Sequence, residues 1–232
     1  MCGRFTITVD LEDLRVYLEE NYDIHEMKQA FELPRFNVSP GQDVITIIND
    51  GAKNRVGLLK WGLVPSFAKD EKIGYQMINA KAETLHQKPS FLPSFTSKRC
   101  VILADSFYEW KRTDDTKQPM RILKKDEKLF PMAGLWSTFI KEDGTKLHTC
   151  TIITTEANEL MKDIHERMPV ILDEASVKTW LNPRVTNLFE LSKLLRPYET
   201  NSMKTYAVSA IVNSSKNETQ DCIKPLYEQK RP

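Results

Sequence analysis

At 232 residues, with 41% hydrophobic and 28% charged side chains, the chain is long enough to bury a substantial core and has ordinary globular composition. A formal net charge of +1 excludes a globally basic nucleic-acid binder, so any polyanion site must be a local patch. The four cysteines, Cys2, Cys100, Cys150 and Cys222, are widely spaced with no CxxC pair, which argues against a zinc site or disulfide framework and for a reducing compartment.

In chain order, Asp10 caps a helix over 10–20, with Leu11, Leu14, Tyr17 and Leu18 at helical spacing. Residues 33–41 (LPRFNVSPG) read as an ordered loop, and Val44 to Ile48 as a buried strand. Asn49-Asp50-Gly51 closes a hairpin whose second strand is Arg55 to Trp61, and GLVPSFAKD leaves it as a loop. Residues 77–85 (MINAKAETL) begin a helix near Ala80. Residues 86–98 form a proline- and serine-rich loop in which Phe91 and Phe95 either pack inward or face a partner.

Cys100 to Ala104 is a strong strand, followed by the polar-aromatic cluster Asp105, Tyr108, Glu109 and Trp110. Asp114 to Lys117 is a charged turn. Further strands are expected at Met120 to Leu123, Phe130 to Leu135 and His148 to Thr154. A short helix at 156–164 runs into His165-Glu166-Arg167-Met168-Pro169. Asp173 caps a helix through Leu181, 185–196 is helical, and 205–212 is a last strand. No repeat, linker or low-complexity tract divides the chain, so the pattern predicts one α+β domain with a mostly antiparallel, strongly curved sheet. Residues 1–20 carry no apolar signal core, and no run approaches the ~20 residues of a membrane span. The expected location is the cytosol.

Polar groups in apolar surroundings mark the candidate chemistry. Cys2 follows the initiator Met, and trimming of Met1 would leave an α-amine and a thiol on adjacent carbons. Such a 1,2-aminothiol can condense with an aldehyde to an imine and then close a thiazolidine. Its reference pKa values, about 8 for the amine and about 8.5 for the thiol, leave both partly nucleophilic near neutrality. Asn79, Lys81 and Glu83 lie in INAKAET, Glu109 follows a buried strand, and His165 precedes a proline-bounded segment. From the residues alone each also has a plainer reading: a disordered terminus for Cys2, a sheet-edge ion pair for Glu109, a helix-capping or solvated histidine for His165. Histidine and cysteine spacing supports no metal site, and no nucleotide or hydrolase fingerprint is present.

Ten blocks change the balance. MCGRF, RFNVSPGQ, WGLVPSFAKD, NAKAET, KPSF, CVILADSFYEWK, KQPM, AGLW, TIITTEAN and IHERMPVIL resemble, in order, the SOS response-associated peptidase (SRAP) family, whose relatives shield abasic sites in single-stranded DNA. The resemblance runs from Cys2 to about Pro225. It implies a single SRAP-type domain over 1–232, with a barrel-like β core and peripheral helices.

It also implies a mechanism without a cofactor. Mature Cys2 would form a covalent thiazolidine crosslink with the ring-opened sugar of an abasic site. Glu109 matches a catalytic glutamate that shuttles protons in imine formation and assists autocatalytic removal of Met1. His165 matches a histidine assisting ring opening, and Asn79 an asparagine holding Cys2 and the sugar in register. For DNA binding the resemblance points to Arg4, Asn37, Pro40, Phe67, Lys81, Phe91, Trp110 and Thr154. Arg4 and Lys81 would grip phosphate, with Lys81 standing where many relatives carry arginine and so losing the bidentate fork. Phe67 stands where relatives often have tryptophan, a smaller stacking platform.

The implied partner is single-stranded DNA carrying an abasic site, with single-strand/double-strand junctions open, bound by a monomer with no membrane contact. Two other readings stand beside it: a cysteine peptidase using Cys2 thiolate with His165 as base, and a non-covalent DNA-binding module. The sharpest expectation is that Cys2 lies beside Asn79, Glu109 and His165 in a cleft edged by Arg4 and Lys81.

Overall fold

The computed structural model describes residues 2–113 and 116–226; Met1, Asp114 and Asp115 lie outside the described residues, so the charged turn is described only from Thr116. Strands β1 (Arg4–Ile7), β2 (Arg35–Val38), β3 (Asp43–Asn49), β4 (Asn54–Trp61), β5 (Asn79–Lys81), β6 (Arg99–Ala104), β7 (Ser106–Arg112), β8 (Lys117–Lys124), β9 (Phe130–Ile140), β10 (Lys146–Glu156), β11 (Arg167–Pro169) and β12 (Met203–Ala207) form two sheets. Helices α1 (Leu11–Tyr22), α2 (Leu92–Ser97), α3 (Glu159–Lys162), α4 (Glu174–Leu181) and α5 (Leu188–Lys193) lie between them in sequence. The fold is α+β, as the strand-rich pattern predicts.

In the larger sheet β10 pairs with β4, then β3, β6 and β9 follow, and β9 pairs back with β10. That closes a five-stranded barrel, antiparallel except at β4–β10. Closure satisfies the edge N–H and C=O groups that an open sheet exposes. The smaller sheet, β12-β8-β7-β1-β2, is antiparallel throughout. Side-chain alternation along β6 shows how the layers share the core. Val101 and Leu103 join Leu14 and Leu18 of α1 and Trp180 of α4, whereas Cys100 and Ile102 join Phe5 and Phe107 of the smaller sheet.

Several local expectations hold. Asp10 and Asp173 accept hydrogen bonds from the first turns of α1 and α4, and β3 and β4 pair around 49–54. Others need correction. The 33–41 loop contains β2, because Phe5↔Val38 pairing draws it onto β1. Residues 79–81 form a strand, not the start of a helix; β10 supplies their hydrogen bonds in parallel register, and a 3₁₀ turn follows over Ala82–Thr84. The 86–98 loop contains α2, with Phe91 and Phe95 packed inward. The last strand ends at Ala207, after which a 3₁₀ turn spans Ala210–Asn213.

Candidate functional site: a cysteine cleft at the end of β10

Strand β10 assembles the site. At Ile152 it pairs with Gly134 of β9 and with Asn79 of β5; at Thr154 it pairs with Lys81 and with Pro169 of β11. The end of β10 therefore carries two short strands from distant sequence, one bearing Asn79 and the other following His165. The loop between β4 and β5 is held by a close crossing. Gly62 sits at φ +134, and a Cβ there would lie 2.7 Å from the carbonyl oxygen of Gly74. Only glycine combines that backbone with that approach.

Cys2 enters from the other sheet. Strand β1 runs antiparallel to β7 from Arg4↔Tyr108, which brings the residues before Arg4 alongside Glu109. Cys2 is fully buried, its thiol reaches the Arg4 carbonyl at 3.9 Å, and its own carbonyl accepts from Asn79 Nδ2 at 2.9 Å. Burial pushes the thiol well above its ordinary range, and the charge of Glu109 pushes it further. Alternation aims the remaining groups. Phe107 shares a cluster with Cys2, so Glu109, two residues on, faces the same way. Ile152 shares that cluster too, so Thr154 also faces it. Thr154 is fully buried, and its Oγ1 and Asn79 Oδ1 have no hydrogen bond among the described residues. Both atoms are buried from solvent.

Glu109 is 3% exposed, and burial raises its pKa while the nearby His165 opposes the rise. His165 Nδ1 accepts the Arg167 backbone N–H at 2.9 Å, which in the neutral ring leaves the proton on Nε2. Glu109, Trp110, Arg112, Lys117, His165 and Asn213 line an open cleft of about 410 Å³. A half-buried imidazole and a buried carboxyl therefore share one solvent-open cleft.

The structure brings Cys2, Asn79, Glu109 and His165 into one neighbourhood and sorts the expected binding residues. Phe67 is 61% exposed, Lys81 is exposed, and Pro40 and Trp110 are half-buried. Phe91 is corrected: it is 5% exposed, packed in the core that holds Leu14, Leu18 and Trp180, and offers no face to a base. Asn37 is corrected as well. It is fully buried, accepts from Arg4 Nη1 at 2.7 Å, and donates to the Ser214 and Asn217 carbonyls at 2.9 and 2.8 Å, so its amide is bonded within the fold. Arg4 does not edge the cleft as an open cation. Its guanidinium donates to Asn37 Oδ1 and to the Val212 and Asn213 carbonyls, clamping the segment after β12.

Residues that sequence reasoning missed complete the walls. Arg167 donates to both oxygens of Glu83 at 2.8 and 2.9 Å and to the Thr154 carbonyl at 2.6 Å, tying β11 to the turn after β5. That bonding holds the Glu83 carboxyl below its usual range. The quoted IHERMP block contained Arg167, yet only the fold reveals its partner. Arg112 and Lys117 face each other across β7 and β8, and Asn213 comes from a polar stretch with no motif signal.

Fold and site together define a small α+β barrel protein with a buried cysteine bonded to Asn79 and close to a glutamate that lines an open cleft. The model of the family described as SOS response associated peptidase (SRAP) matches residues 1–215. The chain belongs to that family. It is 53% identical over 225 residues to "Abasic site processing protein YoqW" of Bacillus subtilis, covering 96% of this chain and 99% of that protein. It is 31% identical over 262 residues to "Abasic site processing protein HMCES" of Xenopus tropicalis, covering 96% of this chain and 78% of that one. A crystal structure of a protein from Bacteroides thetaiotaomicron superposes with a TM-score of 0.85 at 27% identity, covering 97% of this chain and all of that one.

Proposed function

We propose that this protein recognises abasic sites in single-stranded DNA and crosslinks to them through Cys2 once Met1 has been removed. The relatives named as abasic site processing proteins support the substrate. The observation that carries the chemistry is the placement of Cys2 between the Asn79 amide and the buried Glu109. The ring-opened sugar offers an aldehyde at C1′. The Cys2 amine adds to it, and loss of one water gives the imine. The thiol then adds across the C=N bond, its proton passing to nitrogen, and the thiazolidine closes. No oxidant, reductant or cofactor is needed.

Glu109 takes and returns protons in the addition and dehydration steps, because burial keeps its carboxyl protonated to higher pH than in water. His165, with its proton on Nε2, is suited to donate to the sugar ring oxygen as the hemiacetal opens. Asn79 fixes the Cys2 backbone and keeps Oδ1 for the sugar. Exposed Phe67 and half-buried Trp110 supply stacking faces for flanking bases, and Lys81 a phosphate contact. Self-removal of Met1 would use the same Glu109.

A cysteine peptidase acting on other proteins fits less well. Such an enzyme needs a stabilised thiolate, whereas burial disfavours the Cys2 thiolate. An amine-first reaction does not need it. The test is a denaturing gel of purified protein incubated with single-stranded DNA carrying one abasic site. A retarded band resistant to heat and detergent, absent for Cys2→Ala, is the expected result. No such band from protein with a verified Cys2 amino terminus would overturn the proposal.

A further inference from the structure

The segment after β12 forms one wall of the cleft, and its Asn213 has a side chain with one end committed. Trp110 Nε1 donates to Asn213 Oδ1 at 2.7 Å. An indole N–H can only donate, so this bond fixes which way the amide is turned. Oδ1 faces Trp110, and Nδ2 is the group Asn213 has to offer the cleft it lines. Nδ2 has no hydrogen-bond partner among the described residues.

The backbone beneath it is held from several sides. Arg4 donates to the carbonyls of Val212 and Asn213 at 2.8 and 3.2 Å, and Asn37 donates to that of Ser214 at 2.9 Å. These are the two residues whose sequence resemblance pointed to DNA contact and which the structure instead turns onto this segment. On the facing hairpin, Arg112 and Lys117 stand opposite each other, exposed and without an ion pair among the described residues. The cleft thus presents an oriented amide donor and two cations to one side of Glu109 and His165. Donors of this kind match the oxygens of a phosphodiester.

We propose that Asn213 is a DNA-binding residue whose Nδ2 donates to a phosphodiester oxygen next to the lesion, with Arg112 and Lys117 supplying charge at the same subsite. This rests on the abasic-site reading of the cleft. It gives Arg4 and Asn37 a positioning role: they hold the Asn213 wall rather than the DNA.

The experiment uses the full chain and a fluorescent single strand carrying one tetrahydrofuran abasic analogue. That analogue has no aldehyde, so anisotropy reads binding without crosslinking. Asn213→Asp keeps an oxygen for Trp110 but replaces the donor with a negative oxygen, and affinity should fall about tenfold or more; Asn213→Ala should cost about three- to tenfold. Arg112→Ala and Lys117→Ala should each reduce the slope of log affinity against log salt by about 0.7. A methylphosphonate scan of the phosphates flanking the lesion locates the contact. At one position the loss caused by Asn213→Ala should largely disappear, because the acceptor charge is already gone. Melting temperatures of the variants check folding; should Asn213→Asp not fold, Asn213→Ala and the scan decide.

Binding by Asn213→Asp within twofold of wild type would overturn the proposal. So would an Asn213→Ala cost that is equal on every methylphosphonate strand. Either result, with wild-type protein still crosslinking an authentic abasic strand, removes the Asn213 subsite and leaves the site's reading intact. Wild-type protein that neither prefers nor crosslinks the abasic strand removes both.

Discussion

Replacing Glu109 with glutamine should make the protein more stable and less active at the same pH. The side chain is 3% exposed, and burial raises its pKa. In the unfolded chain the carboxyl ionises near the ordinary value of about 4.3. Between that pH and the raised folded value, folding must either bury a charge or take up a proton, and both oppose folding. The stabilisation associated with the neutral form is complete below the unfolded pKa and is lost as pH rises through the folded one. Glutamine has nearly the same shape and no charge. Avoiding the buried charge is worth on the order of 1–3 kcal/mol. Since ~1 kcal/mol moves the melting point of a chain this size by about 2–4 °C, Glu109→Gln should melt at least that much higher at pH 8 and level with wild type near pH 4. The same change removes the group that moves protons. General acid–base catalysis contributes roughly 10²–10⁴-fold, so single-turnover crosslinking followed on denaturing gels should slow by that factor. Melting curves from pH 4 to 8 and crosslinking rates from pH 5 to 9 test both halves. A variant that crosslinks at the wild-type rate would show that Glu109 does not move protons, and one that melts lower than wild type at pH 8 would show that it carries no buried charge.

The other predictions concern the walls of the site. Glu83→Gln should lower stability by about 0.5–1 kcal/mol near neutral pH, the modest size expected of a half-exposed ion pair, and molar salt should shrink the loss. Because Arg167 depresses the Glu83 pKa, that contribution is present above the ordinary glutamate range and fades as pH falls through the folded value; melting curves across pH 3–7 will show it. Phe91→Ala should cost about 3–5 kcal/mol in chemical denaturation, as a core ring does. Phe67→Ala should change stability by no more than about 0.5 kcal/mol. If Phe67 stacks on a base, its loss should weaken single-strand binding by about 1–3 kcal/mol in anisotropy titrations.

Much of the architecture was readable because it is local. Asp10 and Asp173 announced their helices by capping, and the Asn49-Asp50-Gly51 turn announced its hairpin. The misread elements depend on remote partners. The Asn79–Lys81 stretch carries helix-compatible residues, yet it is a strand because β10 offers it a free edge. Phe91 and Asn37 sit in blocks shared with a DNA-handling family, but a shared block does not say whether a side chain serves the surface or the core. Burial assigns both to the interior. The meeting of Cys2 with Asn79 and Glu109 joins segments 77 and 107 positions apart in sequence, and only the motif resemblance linked them before the fold did. Asn213 had no signal at all. Its role emerges from the Trp110 hydrogen bond, which no sequence pattern encodes.

Borohydride discriminates which atoms of Cys2 reach the sugar. Wild-type protein bearing a free Cys2 amine is incubated with a single strand containing one abasic site, with and without borohydride, and the adduct is mapped by peptide mass spectrometry. An imine and a thiazolidine have the same mass, but only the imine needs reduction to survive denaturation. The wild-type adduct is expected to map to Cys2 and survive without borohydride, while the Cys2→Ser adduct survives only with it. An adduct on another residue, or a Cys2→Ser adduct as durable as the wild type without reduction, would contradict that expectation.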